Sequence, residues 1–263
     1  MLPVLRGIGG DVNIRHHWTG DRLKLHLFRH KGYWYHGRKR ELDTMLLFAD
    51  LISPGDFVVE IGGHIGYVSI YLAKLVGPSG RVVVFEPAPD NLRYINANVA
   101  RFTEVTVISQ AVSDRTGKAQ LYVEELTGQN NSLLNDYAVF EENQKWAFVQ
   151  TKKKSVEVRC TTLDDFIRES DLPRPSLIKI DVEGAEHLVL QGMQETLRRS
   201  GVALMVEVTE RNAEVVRLLR DAGFALFRPD RRPISLMESV RGNVFCVKPN
   251  DRRTAELTRR VPS

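Results

Sequence analysis

The sequence predicts an α/β fold: a doubly wound, mostly parallel sheet of seven strands, preceded by a β-rich accessory segment. Three observations carry this prediction. Apolar, β-branched runs alternate with amphipathic stretches, as strands and crossover helices do in a parallel sheet. The run Phe57–Ile61 leads directly into three glycines within residues 62–66 and then into an amphipathic stretch. The last two apolar runs, 224–227 and 243–247, are interpreted as a terminal antiparallel pair.

Charge divides the 263 residues into three parts. Residues 1–40 hold nine Lys or Arg and two Asp, for a net charge of +7, and residues 251–263 carry +2. Because the whole chain carries +4, the remaining residues 41–250 carry −5. We therefore expect an accessory or substrate-covering segment at 1–40, a ligand-binding domain at 41–250 and a basic mobile tail at 251–263. The acidic middle argues against nucleic acid as the partner.

The accessory segment contains two short alternating runs. Asp11–Arg15 and Lys24–Arg29 alternate polar and apolar side chains, which predicts a hairpin around residues 19–21. The aromatic-rich stretch 31–37 follows. Its aromatic side chains either pack the segment onto the main domain or form a loop that covers a pocket.

The first half of the core alternates regularly between helices and strands. Pro89 favours a helix start, because a proline at the first helical position loses no hydrogen bond. The predicted elements are a helix at 41–52, a strand at 57–61, a helix at 67–76, a strand at 81–86, a helix from 89 to 99 and a strand at 105–108.

The second half departs from this alternation, because a polar region separates two short edge strands. Residues 136–155 are polar and include three consecutive lysines, which are typical of a solvated loop. The predicted elements are short strands at 119–123 and 156–160, a helix from 161, a core strand at 176–181, a helix at 186–199, a core strand at 202–208, a helix at 212–222 and the terminal pair.

Four core strands carry an acidic residue at or near their ends: Glu60, Glu86, Asp181 and Glu207. Doubly wound sheets bind ligands beyond the carboxyl ends of their strands, and buried acids there need hydrogen-bond donors. The turn Gly62-Gly63-His64-Ile65-Gly66 departs from the G-x-G-x-x-G spacing of dinucleotide folds, which favours a ligand without phosphate. S-adenosylmethionine offers a cationic sulfonium, an amine and a ribose diol, and it fits this set.

This ligand assigns a role to each part of the site. Glu86 accepts hydrogen bonds from the two ribose hydroxyls, Glu60 and the glycine turn hold the methionine end, and Gln110 with Ala111 lies beside the adenine. The predicted cofactor-binding residues are Glu60, Gly62, Gly63, His64, Gly66, Tyr67, Glu86, Pro87, Gln110, Ala111 and Asp181.

Several segments make the chain resemble the FkbM-type family of S-adenosylmethionine-dependent methyltransferases over roughly residues 41–210. The segment Ile178-Lys179-Ile180-Asp181-Val182-Glu183-Gly184-Ala185-Glu186 is the most distinctive, and the others are 58–66, Phe85-Glu86-Pro87 and 162–166. The chain differs from the family pattern at Glu60, where the family usually has Asp, and at His64, where it usually has Asn. The resemblance implies a class I methyltransferase sheet in the order 3-2-1-4-5-7-6. It also implies methyl transfer to a hydroxyl of a sugar, glycan or natural product.

A hydroxyl acceptor requires a base that takes its proton. Asp181 is the first candidate, followed by Glu183 and by His187, whose ordinary pKa suits proton transfer. The predicted substrate contacts are Asn131, Ser132, Lys179 and Glu207. A structural ion pair is the other interpretation of Lys179, and a plain polar loop is the other interpretation of 131–132. No ligand spacing demands a metal, so none is predicted, although Asp181, Glu183 and Glu207 could meet near the pocket.

Two other functions stay open at this point. An RNA or protein methyltransferase would bind its substrate with the basic segment 1–40 and the basic tail. A non-catalytic module would bind the cofactor without transferring its methyl group. Cys160 and Cys246 are interpreted as buried free thiols, which favours a cytoplasmic protein. No apolar run approaches the roughly 20 residues of a membrane span. We expect a small-molecule or glycan hydroxyl as the partner, and a homo-oligomer is an open possibility.

Overall fold

The structure is a computed structural model that describes residues 9–123, 129–135, 154–199, 201–235 and 238–258. Its strands are β1 (Asp11–Arg15), β2 (Arg22–His26), β3 (Phe57–Ile61), β4 (Arg81–Phe85), β5 (Val105–Ile108), β6 (Ala111–Val112), β7 (Gly117–Val123), β8 (Lys154–Thr161), β9 (Leu177–Ile180), β10 (Ala203–Val208), β11 (Ala225–Phe227) and β12 (Gly242–Val247).

The helices mostly follow strands, as βαβ connections require. They are α1 (Lys31–His36), α2 (Leu42–Leu51), α3 (Tyr67–Val76), α4 (Pro89–Val99), α5 (Leu163–Glu169), α6 (Glu186–Gln191), α7 (Gln194–Arg198), α8 (Asn212–Asp221) and α9 (Thr254–Thr258), with a 3₁₀ turn at Gly37–Lys39 between α1 and α2.

Seven strands form the central sheet in the order β11-β12-β10-β9-β3-β4-β5. The pairs from β10 to β5 are parallel, and β12 is antiparallel to both β10 and β11. When these seven strands are numbered along the chain, the order read from β5 is 3-2-1-4-5-7-6. The predicted α/β fold, its doubly wound sheet and its strand order are therefore confirmed.

The core lies on both faces of this sheet, because alternate residues of each central strand point to opposite sides. Val58 and Val84 pack with α3 and α4, whereas Val59 and Phe85 pack with the helices of the other face. All five residues of β3 are buried. The strand that leads into the glycine turn is therefore fixed from both sides, and so is the position of the turn.

A smaller sheet in the order β6-β8-β7 lies beside the main one. Strand β8 runs antiparallel to β7 from Lys154 to Cys160 and parallel to β6 at Ala111. The two short strands at 119–123 and 156–160 were predicted separately, and the structure pairs them with each other. This sheet fixes Ala111 at the side of the central sheet where β5 ends.

The predicted hairpin at the N-terminus is present as β1 and β2, which pair from Asp11 with His26 to Arg15 with Arg22. It is tied to α4 by Asn98, whose side chain accepts from the Lys24 amide at 2.6 Å and donates to the Lys24 carbonyl at 2.9 Å. The stretch 31–37 was interpreted as a packed segment or a loop, and most of it forms helix α1.

The C-terminus differs from the expected mobile tail over residues 251–258. Helix α9 forms there, and both Arg253 and Leu257 are buried. Arg253 donates to the Leu51 carbonyl and pairs with Asp251, which ties this segment to α2. Residues 259–263 lie outside the described ranges. Packing on α2 therefore gives this segment a helix, although its sequence shows no periodic pattern.

Two further predictions concern cysteines and membranes. Cys160 and Cys246 are both buried and free, as expected. Among the helices of the described ranges, none is long and apolar enough to cross a membrane.

Candidate active site

A cavity of about 410 Å³ opens at the carboxyl ends of β3, β4, β9 and β10. Most of the predicted cofactor and substrate residues line it, and they come from loops that are far apart in the sequence. Those in its wall are Gly62, His64, Glu86, Pro87, Gln110, Ala111, Asn131, Asp181, Glu183 and Glu207. The position agrees with the rule that such sheets bind ligands beyond their carboxyl ends.

The glycine turn after β3 is shaped by close backbone contacts. Gly62 has φ +90°, and a Cβ there would lie 1.8 Å from the Asp181 carbonyl oxygen. A Cβ at Gly63 would lie 2.3 Å from Val84, and Gly66 has φ +83° directly before α3. Gly63 and Gly66 are absent from the wall of the large cavity, and Gly66 packs against α4 instead. For these two positions the structure gives a packing reason for glycine.

Glu86, at the end of β4, presents its carboxylate to the cavity. It accepts hydrogen bonds from the amides of His64 (2.7 Å) and Ala88 (2.8 Å), and from the Asn91 side chain at 3.3 Å. Burial raises the pKa of Glu86 to about 7, against the opposing effect of these donors. Each carboxylate oxygen retains acceptor capacity, which suits a diol. Pro87, Gln110 and Ala111 line the same cavity.

Lys179 lies buried between two acids. Its ammonium group donates to Asp181 at 3.0 Å and to the Gly62 carbonyl at 3.1 Å, and it lies 3.5 Å from Glu60. Burial acts to lower the pKa of Lys179, but Asp181 and Glu60 outweigh it and raise that pKa. The structure therefore agrees with a structural ion pair for Lys179, because these three partners surround its ammonium group, and a substrate contact for Lys179 stays a prediction.

Glu60 faces this cation from β3 and is 1 % exposed. Ser69 donates to its Oε2 atom at 2.5 Å, whereas Oε1 is the oxygen that faces the Lys179 ammonium at 3.5 Å. Burial raises the pKa of Glu60 to about 7. Glu60 lines a second, small cavity of about 40 Å³ instead of the large one, together with Gly63, Tyr67 and Lys179.

Three acids meet on the far side of Lys179. One carboxylate oxygen each from Asp181, Glu183 and Glu207 lies within 4.8 Å of the others. Burial acts to raise the pKa of Asp181, but Lys179 lowers it on balance. The negative charge of Asp181 in turn raises the pKa of Glu207 to about 11. Asp181 is therefore the ionised member and Glu207 the protonated member of a hydrogen-bonded pair. Glu183 has φ +55°, a strained backbone conformation of the kind found at functional sites.

The accessory segment supplies a wall of the site that sequence analysis missed. The Tyr33 hydroxyl lies 2.8 Å from His64 Nδ1, and the Arg40 guanidinium lies over the Tyr33 ring with Cζ at 4.6 Å from its centroid. Tyr33, Arg40 and Glu41 line both cavities. The aromatic stretch 31–37 was the available signal, and a pocket cover was one of its two interpretations.

Two predicted residues lie away from both cavities. His187 is buried on α6, and neither cavity wall includes it. Burial lowers its pKa, so it is neutral near pH 7. Ser132 is fully buried and donates to the Glu183 carbonyl at 2.7 Å, which makes it a support for that turn. The structure therefore places His187 and Ser132 outside both cavity walls, and their catalytic and substrate roles stay predictions.

S-adenosylmethionine fits the groups that surround these cavities. Glu86 can accept from ribose hydroxyls, the acid-lined wall suits a sulfonium, and the Glu60 carboxylate in the small cavity suits an ammonium group. Gln110 and Ala111 stay the predicted neighbours of the adenine. Residues missed by sequence analysis that also line the large cavity are Gln129, Asn130, Thr209 and Arg241.

The chain is similar to known proteins over more than half of its length. The Methyltransferase FkbM domain matches residues 60–226, more than half of the chain. Methyltransferase 1 of Beauveria bassiana is 28 % identical over 70 % of this chain and 79 % of its own length. The 31-O-demethyl-FK506 methyltransferase FkbM of Streptomyces tacrolimicus is 29 % identical over 66 % of this chain and 75 % of its own length.

Among solved structures, methyltransferase FkbM from Methylobacillus flagellatus is 14 % identical, with a TM-score of 0.47 over 81 % of this chain and 60 % of that chain. The domain match spans the glycine turn, Glu86 and the three clustered acids, so it includes the residues on which the site depends. The chain therefore belongs to the FkbM methyltransferase family.

Proposed function

We propose that this S-adenosylmethionine-dependent methyltransferase methylates a hydroxyl group of a sugar, glycan or natural product. The observation that carries the proposal is the carboxylate cluster of Asp181, Glu183 and Glu207, which shares a cavity with Glu86. A hydroxyl needs a proton acceptor beside it, and an ionised carboxylate next to a protonated one supplies both an acceptor and a donor. The name of the Streptomyces tacrolimicus relative, a 31-O-demethyl-FK506 methyltransferase, supports hydroxyl chemistry.

The reaction needs alignment and one proton transfer. Bound S-adenosylmethionine supplies a methyl group that its sulfonium has already activated. Glu86 and the glycine turn would hold the donor, so that a bimolecular displacement would become a reaction between held groups. Asp181 would take the proton of the acceptor hydroxyl as that oxygen bonds to the transferred methyl carbon and the carbon–sulfur bond breaks. The products are a methyl ether, S-adenosylhomocysteine and a proton.

Lys179 and Glu207 keep Asp181 in the ionised state that this role requires. Lys179 donates to Asp181 from the buried side, and Glu207 shares a proton with it from the cavity side. Glu207 can then donate a hydrogen bond to Asp181 or to the acceptor. Glu183 lies in the same cluster and is the second candidate for contact with the acceptor hydroxyl.

The test uses purified protein, S-adenosylmethionine with a ¹³C-labelled methyl group, and the small-molecule, glycan, RNA and protein fractions of the host's own extract. NMR spectroscopy and mass spectrometry then identify the labelled product. We expect the label on oxygen, as a methoxy group. Label on nitrogen or carbon, label only in RNA or protein, or cofactor binding with no transfer in any fraction would each contradict the proposal. The last outcome would favour the non-catalytic module.

A further inference from the structure

The small cavity of about 40 Å³ continues the large one at the end formed by the glycine turn. Both cavities share Tyr33, Arg40, His64 and Asp181, whereas Glu86 and the Gln110–Ala111 pair line only the large one. The nucleoside part of the cofactor is therefore placed in the large cavity, against Glu86, Gln110 and Ala111. The small cavity is therefore placed for the amino-acid part, which carries an ammonium group and a carboxylate.

Two buried polar atoms beside the small cavity are incompletely partnered within the described ranges. His64 Nε2 has no hydrogen-bond partner there, and Glu60 Oε1 meets the Lys179 ammonium only at the long distance of 3.5 Å, although Glu60 is 1 % exposed. Because a buried polar atom without full hydrogen bonding is costly, these two atoms indicate a polar ligand. Glu60 is an acceptor for the ammonium group, and the carboxylate still needs a cation.

Two cationic side chains reach the small cavity, Lys179 and Arg40. The ammonium of Lys179 is directed to Gly62, Asp181 and Glu60. Among the described residues, Arg40 forms an ion pair with Glu41, through Nε at 3.5 Å. Since a guanidinium has five N–H donors, the remaining ones on Arg40 are left for a ligand, and their fork geometry matches a carboxylate.

The orientation of Arg40 is fixed before any ligand arrives. Its guanidinium stacks on Tyr33, and Tyr33 is held by the hydrogen bond between its hydroxyl and His64 Nδ1. His64 belongs to the glycine turn itself. The chain of contacts therefore connects the accessory segment to the turn and places a preorganised cation at the end of the cofactor cavity.

We propose that Arg40 binds the carboxylate of the methionine part of S-adenosylmethionine, so that the accessory segment completes the cofactor site. The proposal depends on the proposed function, because it requires that this cavity is the cofactor site. Arg40 is a binding residue in this account, and it acts through direct hydrogen bonds to the ligand carboxylate. Tyr33 and His64 are positioning residues that hold its guanidinium.

The test compares two ligands by isothermal titration calorimetry. One is S-adenosylhomocysteine, and the other is its decarboxylated analogue, which keeps the amine and the adenosine. We expect the wild-type protein to prefer S-adenosylhomocysteine by about tenfold or more. In Arg40→Met this preference should vanish, because S-adenosylhomocysteine loses affinity and the analogue stays within about twofold of its wild-type affinity. Arg40→Lys should retain part of the preference.

Arg38→Met is the matched control. Arg38 also stacks on an aromatic ring, that of Trp18 at 4.5 Å, and it lies in the same segment but in neither cavity wall. Its ligand preference should equal that of the wild type. The proposal is overturned if Arg40→Met weakens both ligands equally or weakens neither. If the wild-type protein binds neither ligand, the cofactor site itself is wrong and the proposal falls with it.

Discussion

Lys179 donates a 3.0 Å hydrogen bond to Asp181 from a position that is almost fully shielded from solvent. The same ammonium group faces Glu60 at 3.5 Å. One buried cation thus connects the acid at the end of β3 with the acid after β9. Because burial of an unpaired charge is expensive, the two acids depend on Lys179 for their place in the fold.

Replacing Lys179 by Met should therefore destabilise the protein strongly. The substitution keeps the length of the side chain but leaves Glu60 and Asp181 without their cation, and breaking a buried pair in this way costs about 3–5 kcal/mol. The matched control is Lys74→Met, which removes a half-exposed pair with Asp21 and should cost at most about 1 kcal/mol. Urea unfolding measures both changes, and equal losses in the two variants would refute the buried role of Lys179.

Gly62→Ala should damage the site more than a similar change at another glycine. Gly62 and Gly77 both have positive φ, +90° and +64°, so alanine is strained at either position. Only at Gly62 would the new Cβ collide with backbone, 1.8 Å from the Asp181 carbonyl oxygen. Gly77→Ala should cost about 1–3 kcal/mol, because φ +64° with ψ −176° is a backbone conformation that glycine favours, and it should leave S-adenosylhomocysteine binding intact.

In Gly62→Ala we expect a larger loss of stability and the loss of that binding. Thermal unfolding with and without the ligand gives both quantities in one experiment. Comparable ligand-induced shifts in the two alanine variants would mean that the turn does not depend on the close approach of β3 and β9.

Affinity for S-adenosylhomocysteine should depend on pH near neutrality. Burial raises the pKa of Glu86 and of Glu60 to about 7. The hydroxyl and ammonium donors of the ligand bind the ionised form of each carboxylate. Below pH 7 Glu86 and Glu60 are mostly protonated in the free protein, so these protons must leave when the ligand binds. The dissociation constant should therefore rise as pH falls below 7, by about tenfold per unit for each proton released, and level off above 7.

Calorimetry at pH 6 in buffers of different ionisation enthalpy counts the protons released on binding. We expect a release of between one and two protons at pH 6 and almost none at pH 8. An affinity that stays constant from pH 6 to pH 8 would show that neither acid meets a donor of the ligand.

Neutral substitutions at Asp181 and at Glu207 should slow methyl transfer by very different factors. Asp181 is ionised and Glu207 is protonated, because the charge of Asp181 raises the pKa of Glu207 to about 11. Glu207→Gln replaces one neutral group by another, so single-turnover methyl transfer should stay within about tenfold. Asp181→Asn removes the proton acceptor and should slow transfer by about 10²–10⁴-fold, the usual range for a lost general base.

Bound S-adenosylhomocysteine should still stabilise both variants against heat, which separates chemistry from folding. If Glu207→Gln is the slower variant, the assignment of the base to Asp181 is wrong.

Much of the fold follows from local sequence pattern. The strands at 57–61, 81–85 and 177–180 are continuous apolar runs, and a parallel sheet buried on both faces requires such runs. The glycine turn is equally local, since its shape depends on residues within five positions. Helix α9, within the expected tail, could not be predicted locally, because Arg253 is held by the Leu51 carbonyl of α2, about 200 residues earlier in the chain.

The candidate site was predicted only where it follows a strand end. Glu86 and Asp181 project from predictable strand ends into the cavity. Tyr33 reaches it through a long-range contact with His64, and Arg40 through its stacking on Tyr33. His187 is next to a predicted motif, but a helix turns each successive side chain by about 100°, which carries it out of the site. Ser132 and Asn131 are neighbours in the sequence, but Ser132 supports the turn at Glu183 whereas Asn131 lines the large cavity.

Glu86→Gln tests the central claim most directly, because the identity of the ligand rests on a carboxylate that meets the ribose diol. The measurement is the dissociation constant for S-adenosylhomocysteine at pH 8, with Glu183→Gln as a control that makes the same change elsewhere in the cavity wall. Loss of charge-assisted hydrogen bonds predicts a weakening of tenfold or more, about 1.5–3 kcal/mol, for Glu86→Gln and about twofold or less for the control. Unchanged affinity in Glu86→Gln, in a variant that unfolds at the wild-type temperature without ligand, would contradict the account.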